Sequence, residues 1–146
     1  MTAAVDYEVR RYRGEREMTE LLALRHEVFC VEQGVSQREE LDGRDGEGIH
    51  LVAVSDASVL ATCRLLFVGP TVQFSRLAVQ RDARRRGIAS RLLELADQET
   101  RAAGARRIVL HAQTYARSLY EGAGYQPRGR VFIESGIEHI AMEKLL

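Results

Sequence analysis

The sequence predicts an α/β (α+β) domain, a mixed central sheet with helices on both of its faces, and three observations carry that prediction. The chain has 146 residues and is 45% hydrophobic, which suits a single globular domain, residues 1–146, with a core of its own. Apolar runs of strand length alternate with stretches of helical period in the order βα, three strands, α, β, α, ββ, and such an order needs a sheet covered on both sides. At Val72 to Leu93, V-Q-F-S-R-L-A-V-Q-R-D-A-R-R-R-G-I-A-S-R-L-L, an apolar strand passes through an Arg-rich turn into an amphipathic helix.

Taken in order, Asp6 to Tyr12 alternates enough for a first strand. Thr19 opens a helix through Phe29, with Met18, Leu21, Leu22, Leu24, Val28 and Phe29 forming its apolar stripe. Gly34 to Gly48 is rich in Gly and Asp and reads as a long loop, a length that in a compact domain points to function or disorder. Ile49–Val54 and Val59–Val68 flank Ser55-Asp56-Ala57-Ser58 as an antiparallel hairpin, and Gly69-Pro70 turns the chain into a third strand, Thr71–Val79. Ile88, Leu92, Leu95, Ala96 and Ala103 share one side of a helix that Gly104 ends. Arg107–Ala112 is a strand, Thr114 to Glu121 a helix stopped by Gly122-Ala123-Gly124, and Tyr125–Val131 and Ile137–Lys144 are closing strands with a turn at Glu134-Ser135-Gly136. No internal repeat or low-complexity tract interrupts this order.

Composition excludes several classes. The formal net charge is zero, whereas nucleic-acid binding asks for a continuous basic face. No run approaches the roughly 18 apolar residues of a membrane span, and M-T-A-A-V-D-Y lacks the pattern of a secretory leader, so no membrane partner and a cytoplasmic location are expected. Cys30 and Cys63 are isolated, with no matching His cluster, so neither a metal site nor a disulfide is expected; buried reduced thiols are.

The charges are nevertheless segregated. Glu32, Glu39, Glu40, Asp42, Asp45 and Glu47 face only Arg38 and Arg44, while Arg81, Arg84, Arg85, Arg86 and Arg91 face only Asp82. Within the basic turn, Arg84-x-x-Gly87-x-Ala89 places small residues where backbone comes close to a ligand, at a helix start whose free N–H groups favour anionic oxygens. Neither Gly-Lys-Ser/Thr nor G-x-G-x-x-G is present there.

Arg84-Arg85-Arg86-Gly87-Ile88-Ala89, preceded by Leu77-Ala78-Val79, resembles the pyrophosphate motif of the GNAT acetyltransferases. Gln113-x-x-Ala116-x-x-x-Tyr120-x-x-x-Gly124-Tyr125 is similar to a second segment of that family, departing conservatively at Gln113 and Tyr125. Leu24-Arg25-x-x-Val28-Phe29-x-Val31-Glu32-Gln33, Glu40-x-Asp42-x-x-Asp45, His50-Leu51 and Gly136-Ile137-x-His139-x-x-Met142 look like the ElaA-like branch.

The resemblance implies a mostly antiparallel GNAT sheet and a cytoplasmic enzyme that transfers acetyl from acetyl-CoA to a primary amine of a small molecule or peptide by direct attack. It implies that Leu77, Ala78 and Val79 align the pantetheine and the carbonyl, with Arg84, Arg85, Arg86, Gly87, Ile88, Ala89 and Ser90 on the pyrophosphate and Gln113 also at the cofactor. Tyr120 matches the proton donor to the departing thiolate, and an ordinary phenol pKa near 10 keeps it protonated. The Glu that many relatives carry before the L-A-V end is absent, those positions being Phe74, Ser75 and Arg76. His111 is then the expected base, with Glu134 and His139 as substitutes.

Arg64 interrupts an apolar strand, and a covered charge needs a partner. Asp42 and Asp45 are candidates, with Arg25, Glu32 and Gln33 completing a substrate pocket; the alternative is a structural network that pins the loop. Two other functions stay open. A related spacing of Arg, Phe, paired acids and a strand Arg occurs in acyl-homoserine-lactone synthases, although those usually carry a Trp in this loop and this chain has none. The missing strand Glu leaves room for a non-catalytic acyl-CoA-binding regulatory domain. An edge strand near the C-terminus would allow a homodimer.

Overall fold

In the computed structural model of the protein, which describes residues 6–146, β1 (Glu8–Arg11) leads into α1 (Gly14–Arg25), whose end widens into a π-helix (His26–Glu32). After α2 (Gln37–Glu40) and a 3-10 turn (Asp45–Glu47) come β2 (Ile49–Ser55), β3 (Ser58–Val68) and β4 (Thr71–Val79). A second 3-10 turn (Arg81–Ala83) precedes α3 (Ile88–Ala102) and β5 (Arg107–Gln113). A third (Thr114–Ala116) opens α4 (Arg117–Gly122), and β6 (Gln126–Glu134) and β7 (Ile137–Leu145) close the chain.

The strands form one sheet in the order β1-β2-β3-β4-β5-β7-β6. Among the described residues only β4 and β5 are parallel neighbours, and α3 makes the crossover between them. The predicted α+β class with helices on both faces is what the chain adopts. On one face Leu92, Leu93 and Ala96 of α3 pack on Leu51, Ala53, Ala61, Cys63, Leu65, Val72 and Phe74. On the other, Leu21 and Leu24 of α1, with Val28, pack on Val52, Val54, Val59 and Ala78. No helix among the described residues is long and apolar enough to cross a membrane.

One irregularity shapes the rest of the molecule. Thr62 of β3 pairs with Ala78 of β4, but Arg64 pairs with Ser75, so β4 carries one extra residue. Arg76 lies in this bulge with φ +59, a conformation that costs a residue with a Cβ about 1–2 kcal/mol. An inserted residue inverts the alternation of a strand. Val72 and Phe74 therefore face α3 while Ala78 faces α1.

Several boundaries differ from the sequence reading, each for a physical reason. The helix starts at Gly14, before the expected Thr19, because Glu17 supplies polar anchoring that apolar spacing does not register. Its carboxylate accepts the Arg13 backbone N–H at 2.7 Å and both terminal nitrogens of Arg10 at 2.8 Å. The expected loop Gly34–Gly48 contains α2, capped by the Ser36 hydroxyl accepting the Glu39 N–H at 3.1 Å. β6 runs beyond Val131 to Glu134 because a bulge between Arg128 and Phe132 lets pairing with β7 resume. Cys63 is buried, as expected, but Cys30 is only half-buried.

Candidate active site

The parallel ladder between β4 and β5 consists of Thr71–Arg107, Val72–Ile108 and Gln73–Val109. Beyond it the bulged end of β4 parts from β5, and a cleft of about 650 Å³ occupies the opening. Ile108, Leu110 and Ala112 of β5 belong to the core beneath α3, so alternation puts His111 and Gln113 on the opposite side of the sheet. The cleft therefore passes through the sheet and has one wall on each face.

On the α3 side the basic turn is wound by two left-handed residues, Arg85 (φ +63) and Gly87 (φ +77). A Cβ at Gly87 would meet no protein atom within 4 Å, so within the chain itself glycine is wanted for its backbone angle. The first helical bond of α3 is Arg91 N–H to the Gly87 carbonyl at 3.2 Å, which leaves the N–H groups of Ile88, Ala89 and Ser90 without helical acceptors. No acidic residue stands in that first turn, so the helix start favours an anion. Arg84, Arg85, Gly87, Ile88, Ala89 and Ser90 line the cleft. Arg86 is exposed and does not, because the turn points its side chain outward.

Leu77 and Val79 line the cleft as well, whereas Ala78, between them, has its side chain buried against α1 and does not line it. Tyr120 of α4 lines it from the α3 side, held edge-to-face between Phe74 and Tyr125 with ring centroids 6.3 and 6.0 Å away. Burial, and then the nearby Cys63, raises its pKa well above that of a free phenol. It stays protonated at neutral pH.

On the opposite side the Nδ1 of His111 is 3.0 Å from Glu134, and the edge of its ring meets Phe132 at 4.9 Å between centroids. His139, nine-tenths buried, donates from Nδ1 to the Ile137 carbonyl at 2.7 Å. The amides of Gln33 and Gln113 exchange hydrogen bonds of 2.9 and 3.3 Å. The preceding residue, Glu32, takes both oxygens to Arg84 at 2.8 and 3.0 Å. The π-helix thus spans the cleft from one lip to the other.

Arg25, Asp45 and Arg64 form a buried network with Glu40 and Asp42. Arg25 reaches Glu40 at 2.6 Å and Asp45 at 2.8 Å; Arg64 reaches Asp42 at 2.8 Å and Asp45 at 3.0 Å. Arg64 and Asp42 touch the cleft, but Arg25 is fully buried and neither it nor Asp45 lines it. For those two the structure corrects the expected substrate contact, since their charges are spent on fixing the loop. Arg64 holds the carboxyl of Asp42 far below the usual carboxylate range. For Asp45 burial acts upward, but Arg25 and then Arg64 outweigh it and the pKa falls.

Sequence reading missed Arg76 as a structural anchor. It donates to the carbonyls of Glu39 and Glu40 at 3.3 and 3.0 Å, tying the bulge to the loop. It missed Glu39 too, whose carboxylate accepts the Ser135 hydroxyl and closes the far end of the cleft. The local sequence carries no signal for either contact, since the partners lie far apart in the chain. No cluster of metal-ligating residues occurs among the described residues.

Comparison with known proteins identifies the family. The family model described as an acetyltransferase (GNAT) domain matches residues 13–146. A UPF0039 protein of Mycobacterium bovis is 38% identical over 134 residues, 87% of this chain and 83% of that one. The crystal structure of an acyl-CoA N-acyltransferase from Pseudomonas aeruginosa superposes with a TM-score of 0.82 at 31% identity, covering 95% of this chain and 98% of that one. Escherichia coli ElaA shares the fold, with a TM-score of 0.83 at 23% identity over 95% of this chain and 98% of its own.

Proposed function

The chain belongs to the GNAT acetyltransferases and is an acetyl-CoA-dependent N-acetyltransferase, and from that premise we propose that it acetylates a primary amine of a small molecule or peptide by direct attack. The observation that carries this reading is that a single cleft through the sheet is lined at once by the start of α3, by Tyr120 and by His111.

Acetyl-CoA, when bound, supplies a thioester carbonyl open to attack by an amine. The α3 N–H groups with Arg84 and Arg85 fit its diphosphate, as two cations and a helix start suit an anion of that charge. The unpaired backbone of the bulge at Arg76 offers N–H donors to a carbonyl oxygen beside Leu77. His111 removes a proton from the attacking nitrogen as the N–C bond forms and the C–S bond breaks, and Tyr120 returns a proton to the leaving thiolate sulfur. Glu32, Gln33, Asp42 and Arg64 border the acceptor, with Arg25 and Asp45 supporting them from behind.

The test is binding followed by turnover. Acetyl-CoA and CoA are expected to raise the unfolding temperature where ATP and adenosyl-methionine do not. Thiol release with acetyl-CoA is then measured over aliphatic amines, polyamines, amino acids and peptide N-termini. Turnover confined to amines supports the proposal. Lactone formed from adenosyl-methionine and an acylated carrier protein, or CoA binding with no turnover on any amine, would overturn it. We also propose a homodimer through β6, the sheet's edge strand with Val131 and Ile133 exposed, which light scattering tests.

A further inference from the structure

We propose that Glu134 is a positioning residue for His111, and that this pair works as a base held in one tautomer. The inference rests on the assignment of His111 as the base.

The contact brings together two strands that are not neighbours. His111 on β5 lies beside Ala141 of β7, and Phe132 on β6 lies beside His139 of β7, so the β6 side chains reach His111 across β7. Glu134 stands two residues after Phe132 and shares its face of the strand. It is the last residue of β6, held by the turn Ser135-Gly136, whose φ values are +52 and +75. The ring of His111 is therefore fixed from two directions, by the Phe132 ring at 4.9 Å and by the Glu134 carboxylate at 3.0 Å from Nδ1.

A carboxylate can only accept, so Nδ1 must carry the proton. Nε2 is then left with the lone pair that a base needs. Two ionisable groups near the pair are otherwise engaged: His139 of β7 through Nδ1 with the Ile137 carbonyl, and Glu39 of the loop, which accepts from Ser135. Neither is hydrogen-bonded to His111. The pair is about half exposed on both sides, so it adds little to stability, and its removal is expected to leave the fold intact.

The experiment combines imidazole ¹⁵N spectra of the acetyl-CoA-bound protein with kinetics on the best amine of the panel, for wild type, Glu134→Ala, Glu134→Gln and His111→Gln. The His111 signals, assigned by their loss in His111→Gln, are expected to show the Nδ1–H form in wild type and a shift towards Nε2–H in Glu134→Ala. Glu134→Ala is expected to lower kcat about 10- to 100-fold with the KM for acetyl-CoA within twofold. Glu134→Gln, which keeps an acceptor oxygen, should recover part of the loss. If His111→Gln is inactive while Glu134→Ala keeps both kcat and tautomer, the positioning role is wrong and the base stands. If His111→Gln keeps full kcat, the base assignment itself fails, and the catalytic role of Glu134 falls with it.

Discussion

Glu32 and Arg84 form a two-pronged ion pair across the mouth of the cleft, 2.8 and 3.0 Å, although 52 residues separate them in the chain. Arg84 also donates to the Val79 carbonyl at 3.0 Å, so its guanidinium is already aimed at the strand end of the proposed cofactor site. A diphosphate arriving there competes with the Glu32 carboxylate. Exposed pairs of this kind are worth about 0.2–1 kcal/mol. Glu32→Gln is therefore expected to tighten acetyl-CoA binding by about two- to fivefold in calorimetry at low salt, with the gain shrinking as salt rises. Unchanged or weaker binding would mean that Glu32 assists the cofactor.

Gly87 separates backbone strain from charge. Because a Cβ there meets open space, Gly87→Ala is strained only through φ +77 and should cost about 1–2 kcal/mol of stability. Gly87→Glu adds a carboxylate at the start of α3 and should weaken acetyl-CoA at least tenfold beyond the alanine variant. Equal Kd values for the two variants would remove the anion role of this turn.

What was legible in the sequence is what burial imprints locally. β4 runs from Thr71 to Val79 as the spacing predicts, and α3 begins at Ile88, because period and helix-start chemistry are written in adjacent residues. The pairing of distant charges is not written there. Arg25 and Asp45 looked available to a substrate, yet they are turned inward on Glu40 and Arg64, and charge alone says nothing of which way a side chain turns. The positive φ of Arg76 was equally hidden, since arginine has no preference for that region. That one residue puts Ala78 into the core while Leu77 and Val79 face the cleft.

The inward network has a stability signature. Arg25 is fully buried on Glu40, and taking away one partner strands the other's charge. Arg25→Met is expected to destabilise by about 3–5 kcal/mol. Urea unfolding with an unchanged m-value is the measurement, and a loss under about 1 kcal/mol would show that Glu40 finds another partner, Arg76 being 3.4 Å away.

Acid should act early on the start of α1. Arg10, by its hydrogen bonds to the Glu17 carboxylate, lowers that carboxyl from its ordinary 4.5 to about 2. A group whose pKa falls on folding stabilises the folded state fully above its unfolded pKa, and that contribution is lost as pH drops through the folded value. The wild type should therefore lose this increment between about pH 4.5 and about pH 2, and Glu17→Gln should flatten the stability curve in that window only. A Glu17→Gln curve parallel to wild type there would dissociate the pair from acid sensitivity.

Tyr120 offers the sharpest separation of chemistry from structure. Its ring is packed between Phe74 and Tyr125, but among the described residues no group hydrogen-bonds its hydroxyl, so Tyr120→Phe keeps the packing and breaks no internal bond. Stability and acetyl-CoA affinity are expected to stay within about 0.5 kcal/mol of wild type, in keeping with a substitution that leaves no cavity and no orphaned partner. If the hydroxyl protonates the leaving thiolate, kcat should fall about 10²- to 10⁴-fold, the usual weight of a positioned acid. A leaving group that needs no proton supplies the control. With an acetyl thioester of an acidic thiophenol in place of acetyl-CoA, the variant should approach wild-type turnover. A deficit of the same size with both donors would instead place the hydroxyl in binding or orientation of the acyl group.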